Sequence, residues 1–214
     1  MGDKVSLERT VAVLEAVALE LEAAKDMLGE LDSAIGDGDI GISTSRGFKA
    51  LRDGLAEHPA DIGRLLMKSG TDFGEAAGAT IGALLGTAFM RAGKVVIGQS
   101  ELTLPDVARM VAAAEQGIKE RGKAEPGNKT ILDALMPARL ALERAVERGL
   151  GPREAARLAM EAAEKGMIAT IGMKSAFGRS RWLAERSVGH QDPGATIIYL
   201  MSKAVVDYMD RAGA

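Results

Sequence analysis

Apolar residues return every three or four positions along most of this chain, and that spacing restricts the fold more than any other feature. Leu14, Val17, Leu21, Ala24, Leu28 and Leu31 form one such series with Glu and Lys mostly between them, so Ser6 to Leu28 reads as an amphipathic helix. The helical period returns from Ile42 to about Glu57, where His58-Pro59 marks a break. Thr103 and Pro105 open a helix to about Arg121, and Thr130 begins another that runs past Pro137 to Glu147. Pro152 opens the next, to roughly Ala169, and a short helix spans Arg181 to Arg186. Asp192 as cap and Pro193 at the first helical position start the last, which ends near Arg211. The pattern predicts about eight helices and no convincing strand. The loops are short, so neighbouring helices should be antiparallel. Hydrophobic residues make up 47% of the chain but aromatics only 3%, and a core of Ala, Leu, Ile, Val and Met suits close-packed helices better than a sheet. The 214 residues fit a single domain, taken as 5–210.

Asp61 to Met90 stands apart, with Gly63, Gly70, Gly74, Gly78, Gly82 and Gly86. From Gly70 the spacing is four, which would line one face of a helix with glycine. Each costs roughly 0.5–1 kcal/mol relative to Ala inside a helix. Close helix–helix packing and the approach of a bulky ligand both explain the stripe, and the sequence leaves both open.

Several classes are excluded or disfavoured. The net charge is −3 and no basic run occurs, so nucleic acid is not an expected partner. The chain has no cysteine, hence no disulfide and no thiolate metal site. No apolar run reaches the ~18 residues that a membrane span requires, and Met1-Gly2-Asp3-Lys4-Val5 lacks the apolar core of a signal peptide. The expectation is a soluble cytoplasmic protein without a membrane association.

Chemistry concentrates in Leu31-Asp32-Ser33-Ala34-Ile35-Gly36-Asp37-Gly38-Asp39-Ile40-Gly41-Ile42-Ser43. Gly36, Gly38 and Gly41 make a regular helix unexpected here, and Ser43 or Thr44 is the expected cap of the helix that follows. Three carboxylates this close repel one another unless cations sit among them. Carboxylates suit Mg²⁺ or Ca²⁺, and a helix N-terminus suits phosphate, so the segment suggests a nucleotide held through Mg²⁺. Asp and Gly are also ordinary turn residues, so the loop alone leaves a plain turn open. An EF-hand starting at Asp37 fails, with Ile42 where Gly and Phe48 where Glu would be required; a Walker A loop fails for want of lysine. His58 reads as an exposed helix-end residue and His190 as a structural one, and no Ser/His/Asp arrangement stands out.

Four blocks together resemble the nucleotide-binding L subunit of dihydroxyacetone kinase, the DAK2-domain family. They are Asp32-Ser33-Ala34-Ile35-Gly36-Asp37-Gly38-Asp39, Gly82-Ala83-Leu84-Leu85-Gly86-Thr87-Ala88-Phe89, Ala124-Glu125-Pro126-Gly127-Asn128-Lys129-Thr130-Ile131-Leu132-Asp133-Ala134-Leu135, and Gly178-Arg179 through Leu183-Ala184-Glu185-Arg186-Ser187-Val188-Gly189-His190-Gln191-Asp192-Pro193-Gly194-Ala195-Thr196. The resemblance implies an all-α fold, a closed up-and-down barrel of eight antiparallel helices with the nucleotide site at one end. It implies ADP or ATP with two Mg²⁺ ions held by Asp32, Asp37 and Asp39. It also implies a phosphate turn at Ile40, Gly41, Ile42 and Ser43, and nucleotide contacts from Thr80, Ile81, Gly122, Ile131, Arg179 and the turn Asp192-Pro193-Gly194. Arg179 would offset phosphate charge. The family usually carries His at the position of Ile40, Ser at that of Ile81 and Asp at that of Asn128, departures that bear on nucleotide grip and acceptor choice.

By the same resemblance the chain is an ADP-binding kinase subunit. The acceptor, dihydroxyacetone, sits on a separate K subunit whose own histidine activates it. A phosphotransferase-system M subunit draws on phosphoenolpyruvate to recharge the nucleotide. Freely exchanging ATP, another short ketose such as erythrulose, or a non-catalytic Mg-nucleotide module that regulates a partner are the alternatives. Oligomeric state is not legible, and a homodimer stays open.

Overall fold

The structure, a computed structural model, describes residues 4–177 and 185–212. It is mostly helical. The described residues include nine α-helices: α1 (Leu7–Ala23), α2 (Lys25–Ile35), α3 (Ile40–Gly54), α4 (Ile62–Ala77), α5 (Ala79–Lys94), α6 (Leu104–Gly122), α7 (Leu132–Glu147), α8 (Pro152–Ala169) and α9 (Pro193–Arg211). None is long and apolar enough to cross a membrane. Two strands, β1 (Val5–Ser6) and β2 (Glu101–Leu102), pair antiparallel with Val5 opposite Leu102. At two residues each they are too short to leave an alternating pattern in the sequence.

The helix signals that hold are those with a local chemical cause. Thr103 caps α6 in a reciprocal box: its hydroxyl accepts from the Asp106 N–H, and the Asp106 carboxylate accepts from the Thr103 N–H. Pro152 and Pro193 occupy the first turns of α8 and α9, and the Asp192 carboxylate accepts the Ala195 N–H at 2.7 Å. Pro137 lies inside α7.

Three expectations are corrected. The first helix divides at Ala24, and its second part continues to Ile35, so Asp32 stands in the last helical turn of α2 rather than in irregular loop. The apolar series Leu28, Leu31, Ile35 keeps the helical period, and only Gly36 ends it. Next, α3 begins two residues early, at Ile40; Ser43 and Thr44 are buried within it, and neither is its cap. Finally, the glycine stripe belongs to two helices. Gly78, at φ +61°, separates α4 from α5 and folds them against each other. A Cβ on Gly70 would lie 2.7 Å from the Gly86 carbonyl, and one on Gly86 would lie 2.9 Å from that of Gly70. Backbone-to-backbone packing thus accounts for these glycines.

The helices are neighbours in a definite order. Each of α3 to α9 packs against the next, α9 packs against α1, and α1 packs against α3. The core between them is aliphatic, with one aromatic cluster: Phe73 lies 4.9 Å from Phe48 and 6.3 Å from Phe89, centroid to centroid. From α3 onward successive helices alternate in direction. Odd-numbered ones begin at one end of the molecule, where the even-numbered α4 and α6 finish; at the other end the N–H of Ile62 and that of Leu7 bond to the carbonyls of Gln99 and Ser100.

Candidate nucleotide and metal site

The beginnings of α3, α5, α7 and α9 converge on one cavity of about 220 Å³, lined there by Ile40, Thr80, Ile131 and Pro193 among others. Each helix start carries backbone N–H groups without an intrahelical partner and the positive end of a helix dipole. Four such ends around one hollow make a seat for an anion before any side chain is counted. Backbone strain gathers here as well. Among the described residues, the non-glycine ones at positive φ are Ala79 (+49°), Lys123 (+58°) and Lys129 (+59°). Ala79 and Lys129 line the cavity, and Lys123 sits between the lining residues Gly122 and Ala124. Strained backbone of this kind persists where the surroundings enforce it, and binding sites are where it collects.

At the mouth lie Asp32, Asp37 and Asp39, which each offer one oxygen such that all three atoms lie within 4.8 Å of one another. The loop geometry is glycine-dependent at two points. A Cβ on Gly36 would approach Asp32 Oδ1 to 2.4 Å, and Gly38 has φ +78°. The Asp32 carboxylate also accepts the Ile40 N–H at 3.3 Å, which ties the end of α2 to the start of α3. Three carboxylate oxygens without nitrogen or sulfur donors form a hard set, suited to Mg²⁺.

The inner wall is apolar: Ile35, Leu84, Ile118, Ile131, Leu132 and Phe177. Lys129, Thr130 and Asp192 add polar groups to the lining, and Asp133 follows Thr130 closely in the chain. Asp133 accepts the N–H of Gly127 at 2.5 Å and of Thr130 at 2.6 Å, closing the loop before α7. Lys129, 2% exposed, extends beneath the cavity, and burial holds its ammonium pKa below the ordinary value while the charge of Asp192 opposes that shift. Burial pushes the carboxyl of Asp192 up to about 7; the Asp133 charge adds to the rise, while the Ala195 N–H and Lys129 resist it.

That shift has a sign. An acid whose native pKa exceeds its unfolded value binds more protons when folded, so stability falls as pH climbs from the ordinary aspartate range through about 7. Asp192→Asn retains an oxygen for the Ala195 N–H and removes the charge. Urea melts of this variant should show a flatter dependence of stability on pH between about 4 and 7. A slope identical to the parent's would contradict the raised pKa.

The structure brings most of the sequence-derived candidates to this one cavity: Asp32, Asp37, Asp39, Ile40, Thr80, Ile81, Gly122, Ile131, Asp192, Pro193 and Gly194 all line it. Gly41, Ile42 and Ser43 sit in the first turn of α3 without lining it. Gly41 is pressed against α2, where a Cβ would come 2.1 Å from the Lys25 carbonyl; Ile42 is 51% exposed and Ser43 is buried. Arg179 lies outside the described residues. Neither His58 nor His190 lines the cavity, and both are exposed. Sequence reasoning missed Leu84, Ile118, Phe177 and Lys129 as wall residues. The apolar ones looked like any core position, and Lys129 looked like a solvated loop lysine.

Comparison with known proteins identifies the family and the fold. Residues 34–207 match the model of the DAK2 domain. The chain is 38% identical over 177 residues, 82% of its length and 84% of the relative's, to the PEP-dependent dihydroxyacetone kinase ADP-binding subunit DhaL of Escherichia coli K12. It is 33% identical over 203 residues, 94% of both chains, to the ADP-binding subunit DhaL of PEP-dependent dihydroxyacetone kinase 2 of Listeria innocua. Its fold superposes on the crystal structure of the dihydroxyacetone kinase of C. freundii with a TM-score of 0.74 at 24% identity, covering 93% of this chain and 34% of that one. The chain thus spans about a third of the crystallised kinase.

Proposed function

The chain belongs to the DAK2-domain family, and from that premise we propose that it is the ADP-binding subunit of a dihydroxyacetone kinase. In this reading residues 5–210 form one DAK2 domain, and the neighbour order of the helices is that of a closed barrel of eight, α1 and α3 to α9, with α2 laid against α3. The observation that carries the functional reading is the convergence of Asp32, Asp37 and Asp39 beside a cavity ringed by helix beginnings.

In the proposed complex, Asp32, Asp37 and Asp39 hold Mg²⁺, taken as two ions. The metal's contribution is to neutralise charge on the diphosphate and transferring phosphoryl oxygens. The chain's own work is positional. The N–H groups at the start of α5, with the Thr80 hydroxyl, face the phosphates; Arg179 adds a charge from the segment before α9. Leu84, Ile118, Ile131 and Phe177 take the adenine face and exclude water, and the turn Asp192-Pro193-Gly194 closes the wall beside them. Gly41, Ile42 and Ser43 contribute through the first turn of α3. Neither histidine of the chain lines the cavity, which fits an acceptor activated on a separate K subunit. An M subunit fed by phosphoenolpyruvate is the proposed donor, with freely exchanged ATP as the alternative.

Reconstitution tests this. The chain mixed with K and M subunits, phosphoenolpyruvate, Mg²⁺ and catalytic ADP should form dihydroxyacetone phosphate, and ADP should stay with the chain through gel filtration. An acceptor panel that includes erythrulose identifies the ketose. Absence of any phosphorylated ketose with either phosphoenolpyruvate or ATP would refute the kinase assignment.

A further inference from the structure

The side chain of Lys129 makes a contact pattern that the proposed chemistry does not use. Its Nζ lies 2.8 Å from the carbonyl oxygen of Thr170, 3.2 Å from that of Met173, 2.6 Å from that of Ser187 and 2.5 Å from that of His190. An ammonium has three protons, so four carbonyls saturate it. Among the described residues it forms no ion pair, and the charge of Asp192 reaches it only through space. A buried charge is costly unless it is fully solvated by protein dipoles, and here backbone carbonyls take the place of a hydration shell, as they do around a desolvated monovalent cation.

The four carbonyls come from two segments that sequence separates. One follows α8 and leads to Phe177; the other precedes α9 and leads to Asp192-Pro193-Gly194. Both Phe177 and that turn line the cavity. Other links join these segments: the Ser175 N–H donates to Ser187 Oγ at 2.9 Å, the Gly189 N–H to the Ile171 carbonyl at 2.8 Å and the Asp192 N–H to Thr170 Oγ1 at 2.9 Å, and Lys174 pairs with Glu185. Lys129 itself is held at φ +59° by a loop that Asp133 closes.

We infer that Lys129 is a positioning residue, a tethered monovalent cation whose charge gathers two loops into the wall of the nucleotide cavity. It touches no reacting group. Its effect on affinity rests on the nucleotide reading above, whereas its effect on the loops does not. Where a binding-competent wall is formed only a fraction of the time, apparent affinity falls by that fraction. A wall assembled about one-tenth of the time therefore raises the apparent Kd for Mg-ADP about tenfold.

Two variants of the full chain separate charge from packing. Lys129→Met keeps the aliphatic stem and loses the cation; Lys129→Ala leaves room for a soluble one. In both, the Kd for Mg-ADP by calorimetry should rise about tenfold, and amide hydrogen exchange should accelerate in residues 170–177 and 185–192 while α5 stays protected. Ethylammonium should restore both readouts in Lys129→Ala and neither in Lys129→Met. If Lys129→Ala does not fold unaided, refolding it with ethylammonium should recover the helical signal. The inference is overturned by a Kd and exchange pattern unchanged in Lys129→Met, or by a defect in Lys129→Ala that ethylammonium does not relieve. A parent chain that fails to bind Mg-ADP would sink the nucleotide reading instead, and the exchange measurements would still decide the role of Lys129.

Discussion

Asp37→Asn should lower the affinity for Mg-ADP by at least about a hundredfold, since losing even an outer-shell partner of a metal typically costs 10–100-fold. The asparagine keeps one oxygen in place but removes a negative charge from the trio. Asp32 and Asp39 alone then face the cation. The fold should not suffer, because Asp37 is exposed and its neighbours Gly36 and Gly38 define the loop. With three acids whose oxygens come within 4.8 Å of one another, the ion-free chain carries like-charge repulsion that the variant relieves. The upward shift of the melting temperature on adding Mg-ADP should disappear in the variant. Calorimetry and thermal melts with and without Mg-ADP read both effects. Undiminished affinity would remove Asp37 from the metal site.

The second large effect is structural. A Cβ on Gly166, within α8, would lie 2.1 Å from the Asp133 carbonyl oxygen and 3.0 Å from Ala134 Cα. The obstacle is backbone, which cannot turn aside as a side chain can. Gly166→Ala must force α7 and α8 apart, and the expected cost is about 3 kcal/mol or more, at the upper end for overpacked sites. For a chain of this size that corresponds to a melting temperature lower by roughly 2–4 °C per kcal/mol. Because Asp133 also closes the loop that holds Lys129, affinity for Mg-ADP should drop as well. Gly172→Ala, where a Cβ would meet nothing within 4 Å, is the control. Equal melting temperatures for the two variants would contradict the close approach of the helices.

These expectations also mark which features a reader of the sequence can reach. Helix starts announced by a capping side chain or by proline were legible, because cap and proline act on the nearest backbone groups: Thr103, Pro152 and Pro193 all stand where the pattern put them. Asp32, Asp37 and Asp39 were legible through composition, since three acids within eight residues need an explanation. The break at Ala24 was not, for no glycine or proline marks it and the apolar period runs straight through. Gly78 was hidden among its own kind, the stripe giving no sign of which glycine takes positive φ. Lys129 was the least accessible. Its partners are backbone carbonyls 41 to 61 residues away, and every residue type has a carbonyl. Backbone acceptors leave no signature in a pattern of side chains, so only the folded chain reveals that this lysine is inside.

The direction of travel of the helices divides the molecule by duty. With α5 and α7 each 16 residues long, their far tips stand about 24 Å from the cavity at 1.5 Å per residue. Turns such as 148–151, and the strand pair at Val5 and Leu102, stand at that far pole and do not line the cavity. Divergence there leaves ligand recognition untouched, while the opposite pole must satisfy chemistry and folding with the same few residues.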